Sequence, residues 1–423
     1  MSTMNLSFNF FQFAVYASCL FLSISAYAAE WKTEPSVFFN TQYNDNVRMR
    51  SKINNPEGSS GFTLEPRVKF KGEELKLWDM AVDARGKITR YQSIEDGDSE
   101  NVFFIFNGGR QTERSNWRLK ASYEQNTNFD TSFDTESPDA GILSDRTDRT
   151  TSTIEPSVSW SPSETSQIQL SLNATDVSYD EVIRLTYKDY TYDTVQFLAN
   201  WLVAENHKTG FTSSYAEYDS PDTNFSYNQV VLQADYTYTI NELSNFSLSL
   251  GGRRLESLRE NQFIGCVDPG DFLAFGCPIS GPAFADLGSK DDGTITNVSY
   301  ARESETASHS LRAGRSVIPS SFGGVQDKRN ITYQFKFKNT ERLTTELILD
   351  AYKTDTIRGN PFYDRSRYRV EPTVVYKLSR NWNLKFIYRY INQSYTNRIN
   401  ADSESNAVFI NLFLHWPKLV SSY

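Results

Sequence analysis

The three histidines of the chain, His207, His309 and His415, are the side chains best suited to acid–base chemistry. Hydrolases and acyltransferases need a nucleophile or an activated water beside a base, and that base is commonly histidine. The sequence contains no Gly-x-Ser-x-Gly, His-Glu-x-x-His or phosphate-loop pattern. The topology predicted below places all three histidines at the end of the molecule that carries the short turns, far from the long loops. We therefore predict no catalytic residue, no metal site and no cofactor.

Two cysteines, Cys266 and Cys277, lie within a segment rich in glycine and proline. In an exported protein such a pair is most simply a disulfide that closes a surface loop. A metal site would need further ligands, and no histidine lies nearby. We predict a disulfide between these two residues.

Apolar and polar residues alternate along many segments. In residues 408–416 the positions Val408, Ile410, Leu412, Leu414 and Trp416 form an unbroken apolar row, and polar residues such as asparagine and histidine occupy the other parity. A strand places alternate side chains on opposite faces, so this pattern indicates strands with one apolar and one polar face. A soluble antiparallel sheet with one face in a core would give the same alternation.

The number and length of these runs favour a membrane barrel over a soluble sheet. Aromatic residues make up 14% of a chain whose mean hydropathy is −0.53, and no stretch after the N-terminus holds 18 apolar residues in succession. In a bilayer, helices and closed barrels are the structures that satisfy every backbone polar group. The aromatic residues fit interfacial girdles, with Trp31, Trp117, Trp382 and Trp416 as anchors near the periplasmic interface.

The spacing of the turns predicts the strand number. Eight short turns alternate with longer loops, and they lie near residues 72–74, 112–116, 162–165, 204–207, 241–244, 304–306, 339–342 and 379–381. With both termini on the short-turn side, eight turns imply 18 strands, or 16 if one weak hairpin is merged. The long loops, near residues 44–61, 92–100, 129–149 and 260–294, fall on the opposite, extracellular side. We predict one all-β, transmembrane antiparallel barrel with periplasmic termini.

The N-terminus carries an export signal. Residues 1–28 combine an apolar core with the small-residue site Ala26-Tyr27-Ala28, so we predict a signal peptide at 1–28 and an outer-membrane barrel at 29–423. The formal net charge is −9 and there is no basic block, which argues against nucleic acid as a partner. We expect the barrel to lie in the outer membrane of a Gram-negative bacterium, with outer-membrane lipid around it.

Charged residues on the polar parity are the candidates for lining a lumen, and basic residues outnumber acidic ones among them. The candidate lumen-lining residues are Arg67, Lys69, Arg85, Lys87, Arg118, Lys120, Glu124, Asp235, Arg253, Lys336, Lys338, Glu346, Asp350, Lys385 and Arg389. A basic lumen would favour anionic solutes or an acidic polysaccharide. Alternatively, these charges pair across neighbouring strands and select nothing.

The chain resembles the β-barrel porin type 2 family, whose members accompany exopolysaccharide synthesis and exosortase systems. The resemblance rests on Glu30-Trp31 with Pro35, on residues 43–46, and on the segment from Tyr300 to Gly324. It implies a passive conduit that exports a secreted polysaccharide and docks a periplasmic export component on its short turns. The alternative is a diffusion porin for small solutes. A third possibility is a structural or adhesive barrel plugged by an inward-folded 260–294 loop.

Overall fold

The computed structural model describes residues 30–74, 77–94, 97–127, 147–180, 187–266, 282–321, 323–359, 361, 364–397, 401–416 and 419–422. The predicted signal peptide lies outside these residues. Within them, no helix is long and apolar enough to cross a membrane, and helical structure is limited to the short 3-10 turns Lys52–Asn54 and Pro221–Thr223. The strands are β1 (Glu30–Asn44), β2 (Ser59–Glu74), β3 (Trp78–Tyr91), β4 (Ser99–Gln111), β5 (Ser115–Thr127), β6 (Asp148–Ser163), β7 (Ser166–Tyr179), β8 (Tyr190–Ala204), β9 (His207–Ser220), β10 (Phe225–Asn241), β11 (Ser244–Cys266), β12 (Pro282–Glu303), β13 (Ala307–Ser320), β14 (Gly324–Lys338), β15 (Leu343–Arg358), β16 (Arg365–Lys377), β17 (Trp382–Tyr395) and β18 (Ser403–His415, continued as Leu419–Ser422).

These strands form one closed antiparallel barrel. Each strand pairs with the next along the chain, and β1 pairs with β18 through Val37 opposite Leu414 and Tyr43 opposite Val408. The continuation of β18 stays in the same place, because Leu419 lies opposite Thr33 of β1. Closure leaves no unpaired sheet edge for lipid to meet. The prediction of 18 strands is confirmed.

The predicted short turns and the observed connections agree. Seven of the eight predicted short turns coincide with the observed connections at one end of the barrel. The first is displaced, because Gly72 still pairs with Met80 and β2 continues to Glu74. At the other end the longest connections follow β1, β5 and β11. The predicted 129–149 loop lies largely outside the described residues.

The outer face of the barrel is apolar. On β2, Phe62, Leu64, Val68 and Phe70 point outward and are each between 38% and 47% exposed. So much exposed apolar surface is stable in hydrocarbon and not in water. The outer face is therefore the lipid-facing surface of a transmembrane barrel.

A belt of tryptophan surrounds the short-turn end. All seven tryptophans lie within three residues of a strand end there: Trp31, Trp78, Trp117, Trp160, Trp201, Trp382 and Trp416. An indole ring is most stable at the level of the lipid headgroups, where its N–H can be hydrated. The belt marks one membrane interface, and it includes the four anchors predicted from the sequence.

The three histidines also lie at this end. His207 and His309 are on the outer face, where their Nδ1 atoms lie 2.8 Å and 2.9 Å from the hydroxyls of Tyr236 and Tyr333. His415 has the opposite, inward parity, and its ring lies 4.2 Å from that of Phe413. The histidines thus occupy different faces of the wall and do not converge on one site.

The predicted loop over residues 260–294 is too long at both ends. β11 continues to Cys266 and β12 begins at Pro282, so most of this segment is a hairpin. Residues 291–293 lie inside β12 opposite residues 253–255. The alternation fails here because this end of the hairpin carries ion pairs on its outer face, Arg254 with Asp292 and Lys290 with Glu256, as a strand in water does.

The predicted disulfide is not tested by these observations. Cys266 is the last residue of β11, and Cys277 lies outside the described residues.

Candidate channel lumen

The lumen is lined by the strand positions whose parity is opposite to that of the apolar rows. Register places each candidate from the sequence analysis on this parity; Arg67 and Lys69, for example, alternate with Pro66, Val68 and Phe70 on β2. The same holds for the remaining candidates, Arg85, Lys87, Arg118, Lys120, Glu124, Asp235, Arg253, Lys336, Lys338, Glu346, Asp350, Lys385 and Arg389. Their role in transport remains a prediction.

Many of these charges are paired across adjacent strands or, for Arg118 of β5 with Asp79 of β3, across one intervening strand. The ion pairs are Arg67–Asp83, Arg85–Glu65 at 3.6 Å, Arg118–Asp79 at 2.6 Å, Lys120–Glu155 at 2.8 Å, Arg253–Asp291 at 2.7 Å, Lys336–Glu346 at 3.2 Å and Arg389–Glu371 at 2.6 Å. A paired charge exerts a weaker field on a passing ion than an unpaired one. The pairing interpretation therefore describes much of the lumen, although not the whole of it.

The end of the β13–β14 hairpin leaves the wall and enters the lumen. β12 pairs with β13 only between Thr296 and Glu303, with Arg315 as the last β13 partner, yet β13 continues to Ser320. Beyond Arg315 the hairpin has no β12 neighbour. We call residues 316–328 the inner tip. It is mostly buried, with Val325 wholly inaccessible to solvent.

The inner tip packs against the inward faces of distant strands. The Tyr218 hydroxyl on β9 donates to the Ser320 carbonyl at 3.1 Å, and the Lys188 backbone N–H donates to the Ser321 carbonyl at 2.8 Å. Val317 and Val325 of the tip belong to one buried cluster with inward residues of β7 to β11: Val177, Tyr190, Tyr218, Phe225, Tyr227 and Leu255. This aromatic cluster fixes the tip across the extracellular part of the lumen.

A second group of side chains fills the lumen beside the tip. Arg365 and Arg367 of β16 are almost completely buried beneath Tyr352 of β15, whose hydroxyl accepts from Arg365 Nε at 3.3 Å. Lys328 of the tip lies 5.4 Å from the centre of the Tyr352 ring. The buried carboxylate of Glu371 accepts from Arg389 Nε at 2.6 Å and supplies negative charge here.

None of Tyr352, Arg365, Arg367 and Arg369 was among the residues predicted from the sequence to line the lumen. Arg365, Arg367 and Arg369 recur at every second position of β16, alternating with Ser366, Tyr368 and Val370. That period of two was the available signal, and it places the three guanidinium groups on the lumen side.

The β1–β2 loop closes the same end at the barrel seam. Asn46 is buried, and its side-chain amide donates to the carbonyls of Glu404 and Arg50 at 2.8 Å each. Asp45 accepts from the backbone and side chain of Asn406 on β18. These bonds hold the loop against the end of β18, so the extracellular end of the lumen is packed on several sides.

Two cavities lie along the wall below the packed part. The larger, of about 600 Å³, lies at the short-turn end against β1 and β14 to β18 and includes Lys336, Lys338, Lys377 and Lys385. The smaller, of about 390 Å³, lies along β4 to β8, and its polar lining is mainly amides and hydroxyls: Asn107, Ser157, Gln169, Ser171, Asn173, Thr194 and Gln196. The larger cavity thus carries several lysines, whereas in the smaller one the charged residues Arg118, Lys120 and Glu155 stand among amides and hydroxyls.

No protein-family model matches the chain, and no curated protein was found as a relative. Among solved structures, the barrel is similar to OccAB2 of Acinetobacter baumannii, with 11% identity, 92% of this chain and 98% of that chain covered, and a TM-score of 0.47. It is also similar to Pseudomonas aeruginosa OccK2 (OpdF) in complex with glucuronate, with 11% identity, coverage of 92% and 98%, and a TM-score of 0.48. A third is the ferric-catecholate import receptor Fiu of E. coli K12, with 8% identity, coverage of 90% and 81%, and a TM-score of 0.46.

The closed barrel, its apolar outer face and its polar lumen define the class of this protein. It is a transmembrane antiparallel β-barrel, and barrels of this kind belong to the outer membrane of Gram-negative bacteria. The short turns and the tryptophan belt face the periplasm.

Proposed function

We propose that the protein is a diffusion channel for small hydrophilic solutes. The observation that carries this proposal is the inner tip, which occupies the extracellular part of the lumen while cavities of about 600 and 390 Å³ remain below it. Cavities of this size match small molecules, and a hydrated polymer would need a wider continuous path. The polar walls would replace part of a solute's hydration shell during passage.

Liposome swelling with sugars of increasing size tests this function. Liposomes containing the refolded barrel should swell in a monosaccharide and progressively less in longer oligosaccharides, because the tip restricts the path. Liposomes with heat-denatured protein provide the background rate. Equal swelling with monosaccharides and long oligosaccharides would contradict a channel narrowed by the tip, and no swelling above background would contradict an open channel.

Export of a surface polysaccharide is the second candidate. It follows from the family resemblance, and the amides in the smaller cavity support it, since side chains such as Gln169 and Gln196 hydrogen-bond well to sugar hydroxyls. Fragments of the host's own exopolysaccharide, added to one side of a planar bilayer, should then block the current at low concentration. Polymer export should also be lost when the short turns that would dock a periplasmic partner are changed while barrel insertion stays intact.

A further inference from the structure

The larger cavity has an unusual charge pattern. Lys336 and Lys338 of β14, Lys377 of β16 and Lys385 of β17 all border it, whereas its acidic residues are Glu341 and Glu346. Glu346 is engaged by Lys336 at 3.2 Å. Among the residues that the structure describes, Lys338, Lys377 and Lys385 form no ion pair. The cavity therefore holds an excess of positive charge.

This arrangement differs from much of the rest of the charged wall. Elsewhere along the lumen, basic side chains such as Arg118 and Lys120 lie within 3 Å of a carboxylate. Several ammonium groups around one cavity repel each other, and an anion bound between them would remove that repulsion. Positive charge without local compensation is what a site for an anion requires.

One wall of the same cavity is aromatic. Phe38 of β1 and Phe413 of β18 both have lumen parity, and their ring centroids are 6.1 Å apart at a tilt of 57°. Val375 adds apolar surface, and Asn40 and Asn411 are joined by a hydrogen bond of 2.6 Å behind it. An apolar face and the lysines thus line the same cavity.

We propose that this cavity is a binding site for small organic anions that combine a carboxylate or phosphate group with an apolar ring face. The anionic group lies among Lys338, Lys377 and Lys385, and the ring lies against Phe38 and Phe413. The proposal rests on the proposed channel function and deepens it, because it names the class of solute that the periplasmic end of the path retains. A solute held here is delivered close to the periplasmic mouth.

Benzoate is the probe that tests the site. The first measurement is a calorimetric titration of benzoate into the refolded barrel in detergent, which needs no ion current. The second is the benzoate dependence of single-channel current in a planar bilayer. Benzyl alcohol, with the ring and no charge, and inorganic phosphate, with charge and no ring, separate the two contributions.

The variant removes the three lysines together, as Lys338→Gln with Lys377→Gln and Lys385→Gln. Its matched control is Lys69→Gln with Lys120→Gln and Lys208→Gln, which removes the same charge from lumen positions on β2, β5 and β9. We expect the first variant to weaken benzoate binding about tenfold, because three nearby charges act over a few ångströms in a partly hydrated site. The control should change it by less than about twofold, since none of those three residues borders the cavity.

A second variant, Phe413→Ala, tests the ring contact. It should weaken benzoate several-fold and leave phosphate binding unchanged. If both triple variants weaken benzoate equally, the lumen acts through its overall field and the site is refuted. No calorimetric binding of benzoate to the wild-type barrel would refute it as well. If benzoate binds in the calorimeter but no ion current is recorded in the bilayer, the channel function is refuted and the binding site is supported.

Discussion

The extracellular and periplasmic parts of the lumen are built on opposite principles. In the extracellular part, Tyr218, Tyr227, Val325 and Arg367 are almost inaccessible to solvent, so the lumen there is packed like the interior of a soluble protein. In the periplasmic part, Lys338 and Lys377 are exposed around a cavity. One strand wall can thus enclose a packed core at one level and a solvated path at another. The difference lies in side-chain size and in one hairpin that leaves the wall.

Removal of the inner tip should have the largest effect on this difference between the two parts of the lumen. Replacing residues 317–327 by Asn-Gly closes the hairpin at the Ser316–Lys328 pair with a turn suited to two strands. Without the tip the extracellular part loses its central packing element, and we expect single-channel conductance to rise by roughly twofold or more. Planar-bilayer recordings of the variant and the wild type measure this change.

Shortening the neighbouring hairpin is the control for this variant. Replacing residues 260–286 by Asn-Gly closes β11 and β12 at the Arg259–Leu287 pair and leaves the tip in place. Conductance should then stay at the wild-type level. A rise in the control without a rise in the tip variant would locate the restriction in the cysteine-containing hairpin, as the plugged-barrel interpretation of the sequence requires.

The Glu371→Gln variant tests the difference between the packed and the solvated part of the lumen through the free energy of unfolding. Glu371 is the buried partner of Arg389, beside Arg367 and Arg369. Removing its charge leaves several guanidinium groups close together, so the free energy of unfolding should fall by about 3 kcal/mol. Denaturant unfolding followed by tryptophan fluorescence measures the loss.

The control for this variant comes from the solvated part of the lumen. Glu155 pairs with Lys120 at 2.8 Å, and both side chains are more than a third exposed. Glu155→Gln should therefore cost less than about 1 kcal/mol. Equal losses in the two variants would mean that the arginine cluster is as well solvated as the rest of the lumen, and the contrast between the two parts would fail.

The strands could be predicted from the sequence because their two faces meet different surroundings. Lipid outside and water inside force a period of two, as in Phe62, Leu64, Val68 and Phe70 of β2. Where both faces of a strand meet water, apolar and polar residues need not alternate. The projecting part of β11 and β12, with Arg254 and Asp292 on its outer face, therefore read as a loop.

The packing of the lumen could not be predicted from the same pattern. The lumen parity carries aromatic residues at Tyr190, Tyr218 and Tyr227, an available signal that some inward positions are not solvated. The packing partners of these tyrosines depend on the bend of the β13–β14 hairpin. The alternation of residues along a strand does not indicate such a bend. Contacts between strands separated by many residues, such as Tyr218 with Ser320, are set by the assembled barrel.

The smallest expected effect comes from a single glycine in the turn of the inner tip. Gly323 has a φ of +69°, and a Cβ built on it would overlap the side chain of Thr223 in the β9–β10 turn. Gly323→Ala should weaken the docking of the tip by about 1–2 kcal/mol, partly through the left-handed backbone and partly through the overlap. The barrel itself should stay intact, and brief openings to a larger conductance should appear in bilayer recordings.

Two further variants separate the effect of the left-handed backbone from that of the overlap with Thr223. Adding Thr223→Ala to Gly323→Ala removes the overlap and leaves the backbone cost, so the openings should become rarer without vanishing. Gly86→Ala, on β3, introduces the same methyl group at a position where only the Asn101 carbonyl lies within 4 Å of a Cβ, and it should leave the current unchanged. If Gly323→Ala recordings match those of Gly86→Ala, then the Gly323–Thr223 contact does not hold the tip, and the aromatic cluster alone must keep the extracellular part of the lumen packed.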